Sequence, residues 1–188
     1  MEYRAMLIGL SGKKRHGKST VTNYLVKQYR FVEVSFAWPL KEIVGKQLLG
    51  LSDSQLYGTT EQKETIDPFW GKSPRELLQI IGTDCFRDKV HPDFWVKLGQ
   101  RNINSLLFKH QNIVVSDCRF PNEVKAIESL GGTMVRIFRR NYRDDGDQHP
   151  SETALDNYPF EYIITAGDGE IQELYNNVEV VLDKIRGQ

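Results

Sequence analysis

Five short apolar runs, at 5–10, 31–35, 112–116, 133–138 and 162–165, alternate with stretches whose apolar residues recur every three or four positions. Runs of that length between polar or glycine-rich segments predict buried strands, and the longer period predicts helices. Val21, Tyr24 and Leu25 mark a helix over 20–29, while Leu40, Ile43, Val44 and Leu48 mark another opened by Pro39. Further helices are expected over 74–86 and 93–108. Pro121 opens one that carries Val124, Ile127 and Leu130 and closes at Gly131-Gly132. The last carries Ile171, Leu174, Tyr175, Val178 and Leu182, with Asp168 as its expected N-cap. Residues 50–72 have no clear period and read as a mobile loop or short insertion; 139–157 read as polar and irregular. The alternation predicts an α/β fold, a parallel central sheet with helices on both faces, in one domain over 1–188. In such a sheet ligands bind at the carboxyl ends of strands, so the loops after residues 10, 35, 116 and 138 are expected to converge.

Composition narrows the class by exclusion. The 188 residues carry 25 basic and 25 acidic side chains, a balance that gives no reason to expect a nucleic-acid or membrane-surface binder. No apolar stretch is long enough for a membrane span, and the start, with acidic Glu2, lacks the pattern of an export signal. The cytoplasm is the expected compartment. Cys85 and Cys118, far apart and in no metal-binding spacing, are expected to be buried, reduced thiols.

The most specific chemistry follows the first run. Gly12-Lys13-Lys14-Arg15-His16-Gly17-Lys18-Ser19-Thr20 has two glycines, then Lys and Ser, at the spacing of a phosphate-binding loop, and it lies between a predicted strand and a predicted helix. Gly12 and Gly17 let the backbone curl so that successive N–H groups face phosphate oxygens, and the helix N-terminus adds its dipole. Lys18 is then expected at the β- and γ-phosphates and the Ser19 hydroxyl on Mg²⁺. This is a nucleoside triphosphate site.

Asp117 follows the run ending at Ser116, where a phosphoryl-transfer site needs a carboxylate near the metal; the alternative is an ordinary cap or turn residue. Arg119, two residues on, has the planar fork that grips a phosphate. Arg75, Gln79 and Thr83 are spaced by four, a polar stripe suited either to gripping a nucleotide or to facing solvent. Trp95 suits stacking on a base or filling a core. Arg136, Arg139, Arg140 and Arg143 precede Asp144-Asp145-Gly146-Asp147; such a segment is either a solvated charge run or a lid over about 139–157 that closes on donor phosphates.

Taken together, these segments resemble the deoxynucleoside monophosphate kinase family best known from large DNA bacteriophages. The resemblance rests on the loop from Leu10 to Lys18, Ala37-Trp38-Pro39-Leu40-Lys41, Arg75-Glu76-Leu77-Leu78-Gln79-Ile80-Ile81-Gly82-Thr83-Asp84, Trp95-Val96-Lys97-Leu98, Asp117-Cys118-Arg119, His149-Pro150-Ser151-Glu152 and Gly167-Asp168-Gly169. It implies a P-loop kinase fold that uses ATP and Mg²⁺. It also implies that Arg15, Gly17, Lys18, Ser19 and Thr20 bind ATP, to which the loop motif adds Gly12 and the expected lid adds Arg143. Lys14, Leu40, Lys41, Arg75, Gly82, Thr83, Trp95, Asp117, Arg119 and Glu123 would surround the acceptor nucleotide, within an acceptor-binding region of about 36–108 and beyond it; Gln79 of the polar stripe and Glu152, at the far side of the expected lid, are added to that set. Lys18, Asp117, Arg119, Arg139 and Arg140 would take part in transfer, with Ser19 and Asp117 at the metal. Two positions depart from the family pattern: Ser19 stands where Asp is frequent, and Ala166 where Asn is, before the residues that border the donor base.

The expected reaction is transfer of the γ-phosphoryl of ATP to a deoxynucleoside 5′-monophosphate, supplying precursors of DNA, in the host cytoplasm for a phage-encoded chain. Expected partners are small nucleotides, and a homodimer is compatible with the sequence. The alternatives are another small-molecule kinase, such as one acting on dephospho-coenzyme A, and an ATP- or GTP-hydrolysing switch. An Asn-Lys-x-Asp guanine-reading segment is absent from the sequence.

Overall fold

The computed structural model describes residues 5–142 and 150–187, which divide into two compact units, 1–35 with 99–188 and 36–98. The first unit is built on a five-stranded, wholly parallel sheet. Its strands are β1 (Leu7–Ser11), β2 (Val32–Val34), β3 (Ile113–Val115), β4 (Thr133–Arg139) and β5 (Tyr162–Ala166), in the order β2-β3-β1-β4-β5. β1 is central: Leu7 pairs with Ile113 of β3, and Ile8 with Thr133 of β4. All of β1 and β3 is buried, which is why both read as continuous apolar runs and not as alternation.

Helix α1 (Lys18–Tyr29) and the C-terminal helix Ile171–Arg186 cover one face, packing Val21, Leu25, Leu174, Val178 and Leu182 on Ile8, Leu10, Val135, Ile137 and Ile164. Pro121–Ser129 packs against β1 and β4, burying Val124 and Ile127. Helices therefore lie on both faces, as the alternation predicts. The final helix is entered at Glu170, not at Asp168 as the sequence suggests. Asp168 is drawn away by an ion pair with Arg139, and Glu170 makes no side-chain cap. A short helix, Pro150–Thr153, also interrupts the stretch expected to be irregular.

The second unit is helical. Pro39–Leu48 and Ile80–Arg87 have the wide π-type winding, and the latter continues Pro74–Gln79 without a break. The expected loop over 50–72 contains two helices, Asp53–Tyr57 and Thr60–Glu64. Each is entered through a reciprocal cap, Ser52 with Gln55 and Thr59 with Gln62, that satisfies the backbone N–H groups a short helix leaves open. Leu51, Leu56 and Leu77 form the small core, with Leu49 and Leu78 against it. Gly82 permits close packing there, since a Cβ on it would stand 2.7 Å from Leu40 Cδ2.

Cys118 is buried but Cys85 is exposed, against the expectation for both; it lies on an outward position of the π-wound turn. Burial, together with the charges of Glu123 and Asp117, pushes the Cys118 thiol well above its ordinary pKa. Iodoacetamide is expected to modify Cys85 in the native protein and Cys118 only after unfolding, as read by peptide mass. A second expectation concerns Gly12, at φ +149°, where a Cβ would stand 2.5 Å from the Ile137 carbonyl oxygen. Gly12→Ala is expected to cost about 1–3 kcal/mol of backbone strain and displacement. Each of those should lower the thermal midpoint by about 2–4 °C in calorimetry.

Candidate active site

The strand ends of the first unit converge. The loop after β1 turns through Gly12 and Arg15 (φ +66°) to Gly17 (φ +100°), which starts α1 without any side-chain cap. No side chain therefore competes for the N–H groups of the first turn, the ones suited to an anion. Lys18 folds back over this loop, donating from Nζ to the carbonyl oxygens of Gly12 and, at 2.8 Å, Lys13. Its pKa is lowered to about 8, first by burial and then by Arg119, with Arg136 adding to the effect while Glu152 and Asp117 oppose it.

The turn after β3 is fixed from three sides. Ser35, beyond β2, donates its hydroxyl to Asp117 Oδ2 at 2.7 Å, and the Cys118 N–H reaches the Leu10 carbonyl at 3.1 Å. Buried Glu123 accepts from the backbone N–H groups of Arg119 at 2.7 Å and Phe120 at 3.0 Å through the same carboxylate oxygen. Its visible work is thus to shape the turn that presents Asp117 and Arg119. The Arg119 guanidinium meets the Glu152 carboxylate, whose other oxygen accepts the Lys14 N–H at 2.7 Å.

β4 supplies the other wall. Arg136 donates to Ser11 Oγ at 3.3 Å and to Asp156 at 3.0 Å, and Lys13 lies 3.6 Å from the same Asp156. Arg139 is the last residue of the strand, not part of a loop. It pairs with Asp168, donates to the Arg15 carbonyl at 3.2 Å and lies 4.7 Å over the Tyr142 ring. Arg140 pairs with Glu173 at 2.5 Å. His16 is buried edge-on between Phe138 and Tyr142, at 5.5 and 5.7 Å. Arg143 and Asp144-Asp145-Gly146-Asp147, expected in the lid, lie outside the described residues.

Lys14, Lys18, Asp117, Arg119, Glu123 and Glu152 thus come together around the loop, and Arg139 is tied to it through Arg15. Ser19 and Arg15 are exposed, and Thr20 is half-buried. Ser35 and Asp156 were missed: a serine after a short strand and an aspartate in a polar stretch carry no local signal of what they touch. In the second unit Arg75, Gln79 and Thr83 are all exposed, and Arg75 pairs with Glu64 at 3.4 Å. Lys41 lies 4.7 Å over the Tyr57 ring. Trp95 is buried beside Phe86 and Phe94 and donates its indole N–H to the Gly82 carbonyl at 2.9 Å. Trp95, Leu40 and Gly82 therefore have packing work in that unit.

Ser19 and Asp117 offer hydroxyl and carboxylate oxygens, the donor chemistry that suits Mg²⁺. No group of three acidic, His or Cys side chains able to hold a metal occurs among the described residues. A donor set this small fits an ion that arrives with nucleotide phosphates and keeps much of its water.

An uncapped glycine loop between a central parallel strand and its helix, flanked by a strand-end acid and arginine, defines a P-loop kinase. The model of the deoxynucleotide monophosphate kinase family matches residues 61–178, and the chain belongs to that family. A protein of Acanthamoeba polyphaga mimivirus, provisionally named a deoxynucleotide monophosphate kinase, is 39% identical over 95% of this chain and 96% of its own. The deoxynucleotide monophosphate kinase of Enterobacteria phage T4 is 22% identical over 94% of this chain and 98% of its own. The fold is also similar to a crystal structure from Chloroflexus aurantiacus provisionally described as a kinase. That likeness has a TM-score of 0.54 and 14% identity, and covers 100% of this chain and 99% of the other. No helix among the described residues is long and apolar enough to cross a membrane.

The lowered pKa of Lys18 has a pH signature. Its charged form is the one below the pKa, so an activity that needs the ammonium is full below about 8 and lost above it. Catalytic efficiency for ATP, which reports the free enzyme, is expected to fall about tenfold per pH unit on that alkaline limb. Lys18→Met is expected to lower turnover far more than about tenfold, a loss of about 1.4 kcal/mol, with the circular-dichroism spectrum kept. The folded-state depression also makes charged Lys18 costly below about 8; as pH rises toward 10.5 that cost is relieved, since only the unfolded chain still holds the proton.

Proposed function

We propose that this chain transfers the γ-phosphoryl group of ATP to the 5′-phosphate of a deoxynucleoside monophosphate, giving ADP and the deoxynucleoside diphosphate. The observation that carries the reading is the meeting of Lys18, Asp117 and Arg119 at adjacent strand ends, in a chain of this family. The attacking phosphate is already anionic, so positioning and charge neutralisation account for most of the catalysis. The loop amides and Lys18 hold the donor phosphates. Ser19 and Asp117 would hold Mg²⁺, which would supply charge neutralisation at the phosphates. Ser35 keeps the Asp117 carboxylate in place, and Glu123 shapes the turn that aims Arg119 at the acceptor phosphate. Arg139 and Arg140, released from Asp168 and Glu173, and Arg143 complete the charge clamp on the donor. In the second unit, exposed Arg75, Gln79 and Thr83, with Lys41, are the side chains offered to the acceptor, and Leu40, Gly82 and Trp95 shape their surroundings. Supply of DNA precursors is the corresponding role.

The test is a coupled assay of ADP release with deoxy- and ribonucleoside monophosphates and dephospho-coenzyme A supplied in turn. Release that depends strictly on an added deoxynucleoside monophosphate is expected. Release without any acceptor identifies a hydrolysing switch, and release with dephospho-coenzyme A alone identifies the other kinase. Arg119→Ala removes a charge-assisted contact worth about 1.5–3 kcal/mol. It is expected to lower efficiency for the monophosphate about 10- to 150-fold, with ATP affinity by calorimetry nearly unchanged. An equal loss for ATP would place Arg119 on the donor side.

A further inference from the structure

Two carboxylates four residues apart engage the glycine loop from one side. Glu152, only 9% exposed, takes the Lys14 N–H on one oxygen and the Arg119 guanidinium on the other. Asp156 takes Arg136 at 3.0 Å and lies 3.6 Å from Lys13. Arg119 follows β3, Arg136 belongs to β4, and these are the two strands that flank β1, from which the loop springs. One short stretch of chain thus ties the loop to both neighbouring strand ends.

The bonding of Arg119 is one-sided. Its contacts to Glu152 and to the Ser151 carbonyl, the latter at 3.5 Å, both fall on Nη1. Among the described residues Nη2 and Nε make no hydrogen bond, and the side chain is 34% exposed. A guanidinium held by one corner presents its remaining N–H groups as a fixed fork, the geometry that grips a phosphate. Arg136, in contrast, spends Nη1 on Ser11 and Nη2 on Asp156.

We propose that Glu152, seconded by Asp156, is a positioning residue that aims the free edge of Arg119 at the acceptor phosphate and clips the glycine loop between its flanking strands. This rests on the acceptor role given to Arg119 above. Glu152 itself touches no substrate. Its carboxylate also offsets repulsion among the Lys18, Arg119 and Arg136 cations, so that all three stay gathered before nucleotide arrives. Freed from it, the Arg119 side chain samples many rotamers, and fixing one at each turnover costs acceptor efficiency.

The test uses the full chain, with each nucleotide varied in turn. Glu152→Gln keeps the shape and an acceptor for the Lys14 N–H but removes the negative charge that faces Arg119. It is expected to lower efficiency for the monophosphate about 10- to 100-fold. KM for ATP should stay within about threefold, as expected when binding is lost on one side only; the thermal midpoint should fall, since a buried ion pair is broken, while the circular-dichroism spectrum of the folded chain is kept. In the double variant Arg119→Ala/Glu152→Gln the loss should be no greater than in Arg119→Ala alone, because the glutamate acts through the arginine. Glu152→Asp keeps the charge but draws it back by one methylene; it is expected to lose acceptor efficiency with its fold intact, and it serves where the neutral variant fails to fold. Tighter monophosphate binding in Glu152→Gln would show instead a carboxylate that competes with phosphate, and would overturn the proposal. So would additive losses in the double variant, or full efficiency in Glu152→Asp. Unchanged acceptor kinetics in Arg119→Ala would overturn the parent reading, whereas an impaired Arg119→Ala beside an unimpaired Glu152→Gln would overturn this inference alone.

Discussion

The structure turns on the burial of one ammonium among other cations. Lys18 is drawn into the curl of its own loop, near Arg119 and Arg136, and its lowered pKa records what that costs. Charge removed from water is tolerated only when it is paired or hydrogen-bonded. Two carbonyl oxygens of the loop, with Asp117 and Glu152, supply the compensation. Much of the first unit serves that balance: Ser35 fixes Asp117, Glu123 fixes the turn carrying Arg119, and Asp156 fixes Arg136 and Lys13.

The sheet order makes this gathering possible. A central β1 between β3 and β4 puts three strand ends side by side, so residues far apart in sequence share one rim. The register then sorts roles by parity. Ile8 and Leu10 enter the core under α1 and the C-terminal helix, while Gly9 lies on the opposite face against Met134 and Cys118. Ser11, last in the strand, is the first residue of the series to meet a functional side chain, Arg136. Packing thus fixes the sheet, and the strand ends it aligns form the site.

Much of this was legible in the residues. β1 and β3 could be read because strands buried on both faces are apolar throughout, the other three because short apolar-rich runs stand between polar segments, and the glycine loop because its chemistry needs particular residues at adjacent positions. Asp117 and Arg119 could be found because they follow an apolar run directly. The helices of 53–57 and 60–64 were hidden by weak periodicity in five-residue pieces, although Ser52 with Gln55 and Thr59 with Gln62 carried the capping signal. Asp168 had the right chemistry for a cap, but a nearby arginine outcompeted the backbone for it. Ser35 and Asp156 were invisible for a different reason. Their meaning lies wholly in contacts that span tens of residues or more, and no local pattern encodes those.

The same long-range pairing has a consequence during synthesis. The strand that carries the loop pairs with β3 and β4, the first more than a hundred residues downstream; the Met6 N–H, just ahead of it, donates to the Asn112 side chain across a separation of 106 residues. A sheet dominated by such distant contacts closes slowly, because loop closure must precede any pairing. At about 5–20 residues per second, β1 waits several seconds after leaving the ribosome before either neighbour exists. For that interval a strand that the finished fold buries along its whole length lacks the two strands it pairs with. The nascent protein is then at its most aggregation-prone, and it depends on its polar flanks, or on chaperones, until β4 is made.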